Sequence, residues 1–250
     1  MREIKLLTTL ALICSSQFIL AQGIVTDRPD QTESSSTVQK GKIQIETGIL
    51  VEFREDDLIS ERQLLLPTTL FRLGVSRTFE IRVLSQLESV EDQNSATTIN
   101  GISDIELGTK IQLVQKDNVN TEMAFISHLV IPTGSKQLSN DKFGTINKLS
   151  ISHELDEKIA LGYNVGYNYL GFGDGDLTYS MALGYSLSDT IGLYIEPYGE
   201  VINLSDHEAN FDAGITYLLK SNFQLDFSFG AGINHNMNYM SVGCSFIIPE

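Results

Sequence analysis

Hydrophobic and polar residues alternate along most of the chain between Lys42 and Ile248. From Ile159 to Tyr169, every second side chain is apolar or aromatic, and the residues between them are small or polar. Successive side chains of a β-strand point to opposite faces, so this pattern predicts strands with one apolar and one polar face. Twelve strands are predicted, at 42–53, 62–75, 79–90, 101–114, 121–132, 144–155, 158–170, 175–187, 190–203, 207–219, 222–234 and 238–248.

The length of these strands favours a membrane barrel over a soluble sheet. A tilted strand needs about 9–11 residues to cross a bilayer, and every predicted strand meets that length. Strands of soluble sheets usually have about 5–6 residues. Only the second and fifth strands, around Leu64–Leu66 and Val130–Ile131, alternate poorly.

Short and longer connections alternate between the predicted strands. Turns of a few residues are predicted near 76–78, 116–119, 156–157, 188–189 and 220–222, and longer connections include 54–61, 91–100 and 133–143. Outer-membrane barrels have short turns at one end and longer loops at the other. We therefore predict an all-β fold, an antiparallel transmembrane β-barrel of about twelve strands, an even number, with both termini in the periplasm.

The first 21 residues have the features of a signal peptide. Arg2 and Lys5 supply positive charge, an apolar run extends to Leu20, and Ala21 offers a small residue for cleavage. We expect cleavage after Ala21 and export to the outer membrane of a Gram-negative cell. An uncleaved anchor is the alternative, but the run is short for a membrane helix. The segment 22–41 then precedes a barrel domain at 42–250.

Composition excludes some partners and leaves others open. The net charge of −15 argues against nucleic acid, because phosphates attract basic surfaces. A hydrophobic content of 42% fits both a soluble protein and a barrel with a polar lumen. The expected partners of a membrane barrel are outer-membrane lipid, a small solute, and the barrel-assembly machinery during biogenesis.

Several motifs resemble one known family. They include T-D-R-P-D-Q-T-E-S-S from Thr26, G-K-I-Q-I-E-T-G from Gly41, G-I-S-D-I-E-L-G-T-K from Gly101 and H-L-V-I-P-T-G from His128. This set resembles the outer-membrane family named for the MetA pathway of phenol degradation, whose members are usually described as transporters. The resemblance runs from about Thr26 to the end. It implies an outer-membrane barrel and leaves the solute open.

Charged residues recur on the faces predicted to point inward. Acids outnumber fixed cations there, which favours cations or polar neutral solutes if the lumen is wet. Alternatively, the charges pair across a narrow lumen and fill it, since twelve strands fall between filled eight-stranded barrels and open larger ones. The lumen-facing candidates are Glu46, Arg72, Glu80, Arg82, Asp104, Glu106, Lys110, His128, Lys148, Glu196 and Asp226; Glu52, Glu122, Glu154, Glu200 and Asp212 share these faces.

A second candidate site is the motif Asp27, Arg28, Pro29 and Asp30 before the first strand. Arginine can bridge carboxylates in bidentate fashion, and proline stiffens the backbone. One hypothesis is that residues 22–40 fold into the barrel as a plug, with Arg28 paired to inward acids such as Glu46 or Glu80. The other is a flexible periplasmic tail, which the polar run 31–37 favours.

The sequence offers little sign of catalysis. Ser127-His128 and Ser152-His153 are adjacent pairs, but strand neighbours point to opposite faces, so neither pair can act as nucleophile and base. We predict no catalytic residues, no metal site and no cofactor.

Three functions remain open. The first is an outer-membrane channel or transporter for small solutes, aromatic or hydrophobic ones among the candidates. The second is a soluble periplasmic or secreted β-barrel that binds a ligand, and the third is a hydrolase at the rim of an outer-membrane barrel. If a passage exists, the uncharged stripe on the seventh strand marks its open side; the stripe comprises Gly162, Asn164, Gly166 and Asn168.

Overall fold

The structure is a computed structural model that describes residues 23–55, 60–115 and 120–248. The predicted signal peptide and its cleavage site after Ala21 lie outside the described residues, as does the predicted turn at 116–119. Among the residues described, no helix is long and apolar enough to span a membrane.

The described chain is built from antiparallel β-strands joined in sequence order. Their bounds are β1 (Ile43–Glu55), β2 (Ser60–Gly74), β3 (Phe79–Asp92), β4 (Thr97–Ile102), β5 (Ile105–Val114), β6 (Thr121–Ile131), β7 (Gly144–Glu154), β8 (Ile159–Tyr169), β9 (Asp176–Ser186), β10 (Ile191–Ile202), β11 (Asp206–Lys220), β12 (Phe223–Gly232) and β13 (Asn236–Ile247).

Pairing between the first and last strands closes the sheet into a barrel. β1 pairs with β2 on one side and with β13 on the other, and β2 also pairs with β3. β4 and β5 occupy one position in the wall, because both pair with β3, at its second and first halves respectively. The barrel therefore has twelve antiparallel wall positions, which confirms the predicted all-β antiparallel barrel of about twelve strands. Closure leaves no unpaired edge between first and last strands.

The predicted connection at 91–100 is wrong. β3 continues to Asp92, and Thr97–Ile102 pairs back onto it as β4. A turn at 93–96 suffices because the carboxylate of Asp92 accepts backbone N–H groups from Asn94 and Ser95, at 2.8 and 3.3 Å. The fourth predicted strand, 101–114, is in turn interrupted at 103–104, between β4 and β5.

A bulge explains the poor alternation of the second predicted strand. The register of β2 against β3 shifts between Leu65 and Thr68, on either side of Pro67. Proline has no N–H to give to the ladder, and it is tolerated at such irregularities. The shift brings Leu65 onto the same inward face as Leu70 and Arg72.

The two faces of the barrel are inverted relative to a soluble protein. Phe53 and Leu107 on the outer face are each 47% exposed, whereas Glu46 and Arg72 on the inner face are 1% exposed. A continuous apolar exterior is unfavourable in water but suits lipid. We call the end with the turns at 76–78, 155–158 and 187–190 the short-turn end, and the opposite end, which carries 132–143, the long-loop end.

Candidate functional site

Residues 23–42, the N-terminal segment, lie against the inward faces of strands around the whole barrel. Backbone N–H groups of Arg28, Gln31 and Val38 donate to Glu46 on β1, Glu196 on β10 and Glu80 on β3, at 3.0, 2.7 and 2.7 Å. The segment starts and finishes at the short-turn end: the N–H of Ile24 donates to Ser221, and the hydroxyl of Thr37 to Arg77. It therefore enters the lumen and returns.

Asp27 lies at the centre of a dense group of charges. Its carboxylate is 3.2 Å from Arg72, 2.7 Å from Arg82 and 2.9 Å from Lys110, and all three cations are buried. Burial alone would raise the pKa of Asp27, but the charges of Arg72, Lys110 and Arg82 hold it well below its usual range. Asp27 is therefore a fixed anion.

The remaining charges of the three cations are balanced by other acids. Arg72 contacts Glu46 at 2.8 Å and Glu80 at 2.9 Å. Arg82 pairs with Glu33, which also binds Lys148 at 2.8 Å. We call this group the paired cluster: its acids are Asp27, Glu33, Glu46 and Glu80, and its bases are Arg72, Arg82, Lys110 and Lys148.

The predicted partners of Arg28 are wrong. Its guanidinium binds Asp226 at 2.9 Å and the hydroxyl of Ser241 at 3.0 Å, on β12 and β13. The predicted partners, Glu46 and Glu80, are taken up by Arg72, which lies on the strand between them. Only the backbone N–H of Arg28 reaches Glu46.

Two glycines make room for Arg28. A Cβ atom on Gly48 would lie 2.5 Å from its Nη2 atom, and one on Gly243 would lie 2.4 Å from it. The guanidinium therefore rests directly on the backbones of β1 and β13. Gly48 belongs to one of the motifs that carry the family resemblance.

His128 and Glu106 extend the paired cluster across β5 and β6. Arg82 donates to Nε2 of His128 at 2.9 Å, so the ring proton belongs on Nδ1, which is 2.6 Å from Glu106.

Asp104 departs from the prediction of a lumen-facing charge. It lies in the break between β4 and β5 and accepts N–H groups of Gly134 and Asn140, so it braces the loop of the long-loop end.

A second group of acids lies on the opposite side of the segment. Thr32 and the N–H of Gln31 donate to Glu196, and Tyr239 donates to Asp212 at 2.6 Å. Burial, with the charge of Glu196 and then of Asp212, raises the pKa of Asp30 well above its usual range. Within the described chain, Asp30, Glu196 and Asp212 form no salt bridge, and we call them the acid-only cluster.

Three cavities border the N-terminal segment. The apolar-walled cavity, about 340 Å³, opens toward the long-loop end. The short-turn cavity, about 450 Å³, lies at the other end, and Arg28, Pro29 and Asp30 line both of them. These three residues therefore stand between the two cavities.

The predicted uncharged stripe borders both the segment and a third cavity. Asn164 and Asn168 line a polar cavity of about 230 Å³ together with Tyr179. A Cβ atom on Gly162 would lie 3.1 Å from Thr32, so this end of the stripe is covered by the N-terminal segment. The open side of the lumen stays a prediction.

The serine–histidine pairs are separated as expected from strand geometry. Ser127 donates to Asn147, whereas its neighbour His128 points to Glu106. His153 binds Thr121 and Tyr163. Across the described ranges, no three His, Cys, Asp or Glu side chains are grouped so that they could hold a metal ion.

Sequence reasoning missed the aromatic side of the acid-only cluster. Tyr194 and Tyr239 lie on the inward faces of β10 and β13 and are buried. The available signal was two glycines, Gly214 and Gly230, at inward positions of the neighbouring strands. An inward glycine leaves space into which a large neighbouring side chain can lean.

The fold resembles solved structures of outer-membrane channels. A COG4313 outer membrane channel from Pseudomonas putida F1 matches with a TM-score of 0.69 at 11% identity, over 86% of this chain and 98% of that one. A KdgM porin in complex with disordered oligogalacturonate matches with a TM-score of 0.55 at 10% identity, over 81% and 98%. A NanC porin matches with a TM-score of 0.53 at 10% identity, over 80% and 98%.

Family membership rests on the sequence itself. No curated protein matches it. Residues 26–246 match the family described as "Putative MetA-pathway of phenol degradation", which is nearly the whole described chain. The match confirms the resemblance found in the motifs, and the chain belongs to this family.

Proposed function

We propose that the protein is a channel or transporter for small solutes in the outer membrane, in which the N-terminal segment acts as a plug. The observation that carries this proposal is the position of Arg28, Pro29 and Asp30 between two cavities that open toward opposite ends of the barrel. A solute can pass only if this stretch moves or leaves room beside it. The short-turn end and both termini then face the periplasm, as in other barrels of this type.

The apolar-walled cavity supports solutes with a hydrophobic part. Toward the long-loop end, the cavity is walled by inward aliphatic side chains, namely Leu50, Leu65, Leu70, Leu84 and Ile146. Toward the N-terminal segment, it is bounded by the charged groups around Arg28 and Arg82. Apolar walls with a few placed polar groups are typical of small-molecule sites. Aromatic or hydrophobic solutes therefore fit this cavity better than sugars do.

The plug hypothesis is tested by releasing Arg28. In the Asp226→Asn variant the guanidinium loses its charged partner, so the segment is held less firmly. We expect faster swelling of liposomes in arabinose than with the unaltered protein. The exposed Asp189→Asn at a short turn is the matched control, and equal swelling for all three proteins would contradict the proposal.

The apolar wall is tested separately by Leu84→Asn, which places an amide in the cavity. The substitution should weaken the binding of a small aromatic probe such as a naphthalene dye by about tenfold, the equivalent of roughly 1–2 kcal/mol of lost apolar burial. The exposed Asp189→Asn, which lies outside the cavity, is again the control. Unchanged dye binding in Leu84→Asn would remove the hydrophobic part of the proposal.

The alternative of a soluble ligand-binding barrel is tested by solubility. The apolar outer face predicts that the protein needs detergent or lipid, with the barrel-assembly machinery inserting it in the cell. It also predicts that unboiled and boiled samples migrate differently on a gel. A barrel that stays in solution without detergent would favour the soluble alternative.

A further inference from the structure

The polar cavity of about 230 Å³ is walled by inward side chains of β7 to β11. One row of them runs across four neighbouring strands. Strand register places Asn164, Ser180, Tyr198 and Asn210 side by side on β8, β9, β10 and β11. Each of these side chains carries an uncharged amide or hydroxyl group, so the row can form hydrogen bonds with a ligand that has no charge of its own.

A second row of lining residues lies nearer the connection 170–175 at the long-loop end. Strand register places Lys148, Gly166, Thr178 and Glu200 side by side on β7 to β10. A Cβ atom on Gly166 would lie 2.5 Å from Oγ1 of Thr178, so the glycine leaves room for the neighbouring hydroxyl. The two charged members have opposite signs and stand at the two ends of the row, which favours neither cations nor anions.

The N-terminal segment bounds the cavity on one side. The hydroxyl of Ser180 lies 2.7 Å from the hydroxyl of Thr32. The amide oxygen of Asn164 accepts from the N–H of Glu33 at 2.8 Å, and the carboxylate of Glu33 binds Lys148 at 2.8 Å. On this side of the cavity the polar groups are therefore already paired.

Two amide oxygens elsewhere in the lining have no partner. The Oδ1 atoms of Asn168 and Asn210 are buried and form no hydrogen bond within the described ranges, and Asn210 is only 7% exposed. Buried polar groups in native proteins are normally paired with protein, water or ligand. The cavity is several times larger than the roughly 30 Å³ that one water molecule occupies in the liquid. It therefore has room for a small molecule that supplies the missing partners.

The lining fits a molecule with several hydroxyl groups. A hydroxyl can donate to an amide oxygen or accept from an amide nitrogen, so it suits Asn168 and Asn210 in either orientation of their amides. Tyr198 adds an aromatic ring, whose apolar face can pack against the C–H groups of a sugar. Ligand pockets usually have about 300–1,000 Å³, so this smaller cavity fits a single ring better than a chain of sugars.

We propose that the polar cavity binds one ring of a neutral sugar through the amides of Asn168 and Asn210, the hydroxyl of Thr178 and the ring of Tyr198. This site goes beyond the proposed channel function and does not rest on it, since it needs only the folded barrel. It is also separate from the apolar-walled cavity, with which it shares only Gln31 and Lys148.

Binding is tested by saturation-transfer NMR on the full mature protein in lauryldimethylamine oxide, a detergent without a sugar headgroup. The probes are the methyl pyranosides of glucose, galactose, mannose and arabinose, each added separately. At least one of them should receive magnetisation from the protein. Asn168→Leu and Asn210→Leu should each weaken its binding by about tenfold, because each removes a buried hydrogen-bonding partner of the sugar.

Asn238→Leu is the matched control, because Asn238 is exposed on the outer face and its loss should leave sugar binding unchanged. A gel shift on boiling checks that each variant is folded, and either cavity variant suffices if the other does not fold. No transfer to any of the four sugars, as expected if the cavity holds only water, would overturn the site, and so would equal binding in all variants. Sugar binding without any swelling of liposomes in arabinose would contradict the channel function and leave the site standing.

Discussion

Asp27 and Asp30 lie three residues apart on the N-terminal segment, yet they face opposite electrostatic environments. Asp27 contacts three buried cations, and the paired cluster around it contains four acids and four bases. Asp30 faces Glu196 and Asp212 on the other side of the lumen, where no salt bridge compensates these acids within the described residues. Two acids of the same segment with unequal pairing teach that one side of the segment is held firmly and that the other is under repulsion.

The largest expected effect comes from breaking the paired cluster. Arg72→Met would leave Asp27, Glu46 and Glu80 without their shared cation in a buried place. Removing one member of a buried ion pair costs about 3–5 kcal/mol of unfolding free energy. The urea midpoint in liposomes should fall accordingly. Arg62→Met is the control on the same strand, because its pair with Glu91 is exposed and should contribute little. Equal losses for the two variants would refute the distinction.

Substitutions of two buried aspartates, Asp226 and Asp212, compare a paired acid with an acid of the acid-only cluster. Asp226→Asn leaves Arg28 without a charged partner and should destabilise the fold by about 1–3 kcal/mol. Asp212→Asn removes one of several repelling acids and keeps an acceptor for Tyr239, so stability should stay equal or rise by about 1 kcal/mol. The same urea titration measures both. A larger loss for Asp212→Asn than for Asp226→Asn would contradict the comparison.

The glycines under the large inward side chains provide a steric test. Gly243→Ala would place a methyl group against Arg28, and Gly230→Ala would place one against Tyr239. Overpacking of this kind costs about 1–3 kcal/mol. At Gly184 a Cβ atom would meet nothing closer than 3.8 Å, so Gly184→Ala should be nearly neutral. The temperature at which each variant changes its mobility on a gel gives the order of their stabilities. A destabilised Gly184→Ala would show that the loss of stability does not depend on the local steric contact.

The smallest expected effect is in the pH dependence. The pKa of Asp30 is raised in the folded state, so the folded protein keeps a proton that the unfolded chain loses above about pH 4. The contribution of Asp30 to the free energy of unfolding is therefore complete below about pH 4 and declines as the pH rises above it. The lowered pKa of Asp27 acts in the opposite sense, with stability lost as pH falls below about 4. Asp30→Asn should flatten the decline above pH 4 and leave the acid loss unchanged. An unchanged profile above pH 4 would contradict the environment assigned to Asp30.

Much of the fold follows from alternation alone. Twelve wall positions were readable because a two-residue period is a local property of the chain. The break at 103–104 and the bulge at Pro67 were not, since both depend on what the neighbouring strands pair with. The interval 91–100 was misread as a loop because threonine and asparagine there gave no apolar alternation.

The sequence predicts which residues belong to the candidate site, but it does not predict which of them pair with one another. Inward charges were visible as polar positions between apolar ones. The partner of Arg28 was not, because Arg72 on the intervening strand takes Glu46 and Glu80 and leaves Asp226. The contact of Glu196 with Asp212 depends on the register of β10 and β11, which no pattern within either strand specifies.

The central claim is that the N-terminal segment closes the passage, and a reversible cross-link tests it most directly. The hydroxyls of Thr32 and Ser180 lie 2.7 Å apart, so Thr32→Cys with Ser180→Cys, in a Cys244→Ser background, can join the segment to β9. With the disulfide formed, liposome swelling in arabinose should be several-fold slower than after reduction, while each single-cysteine variant should not respond to reductant. Equal swelling before and after reduction would contradict the account.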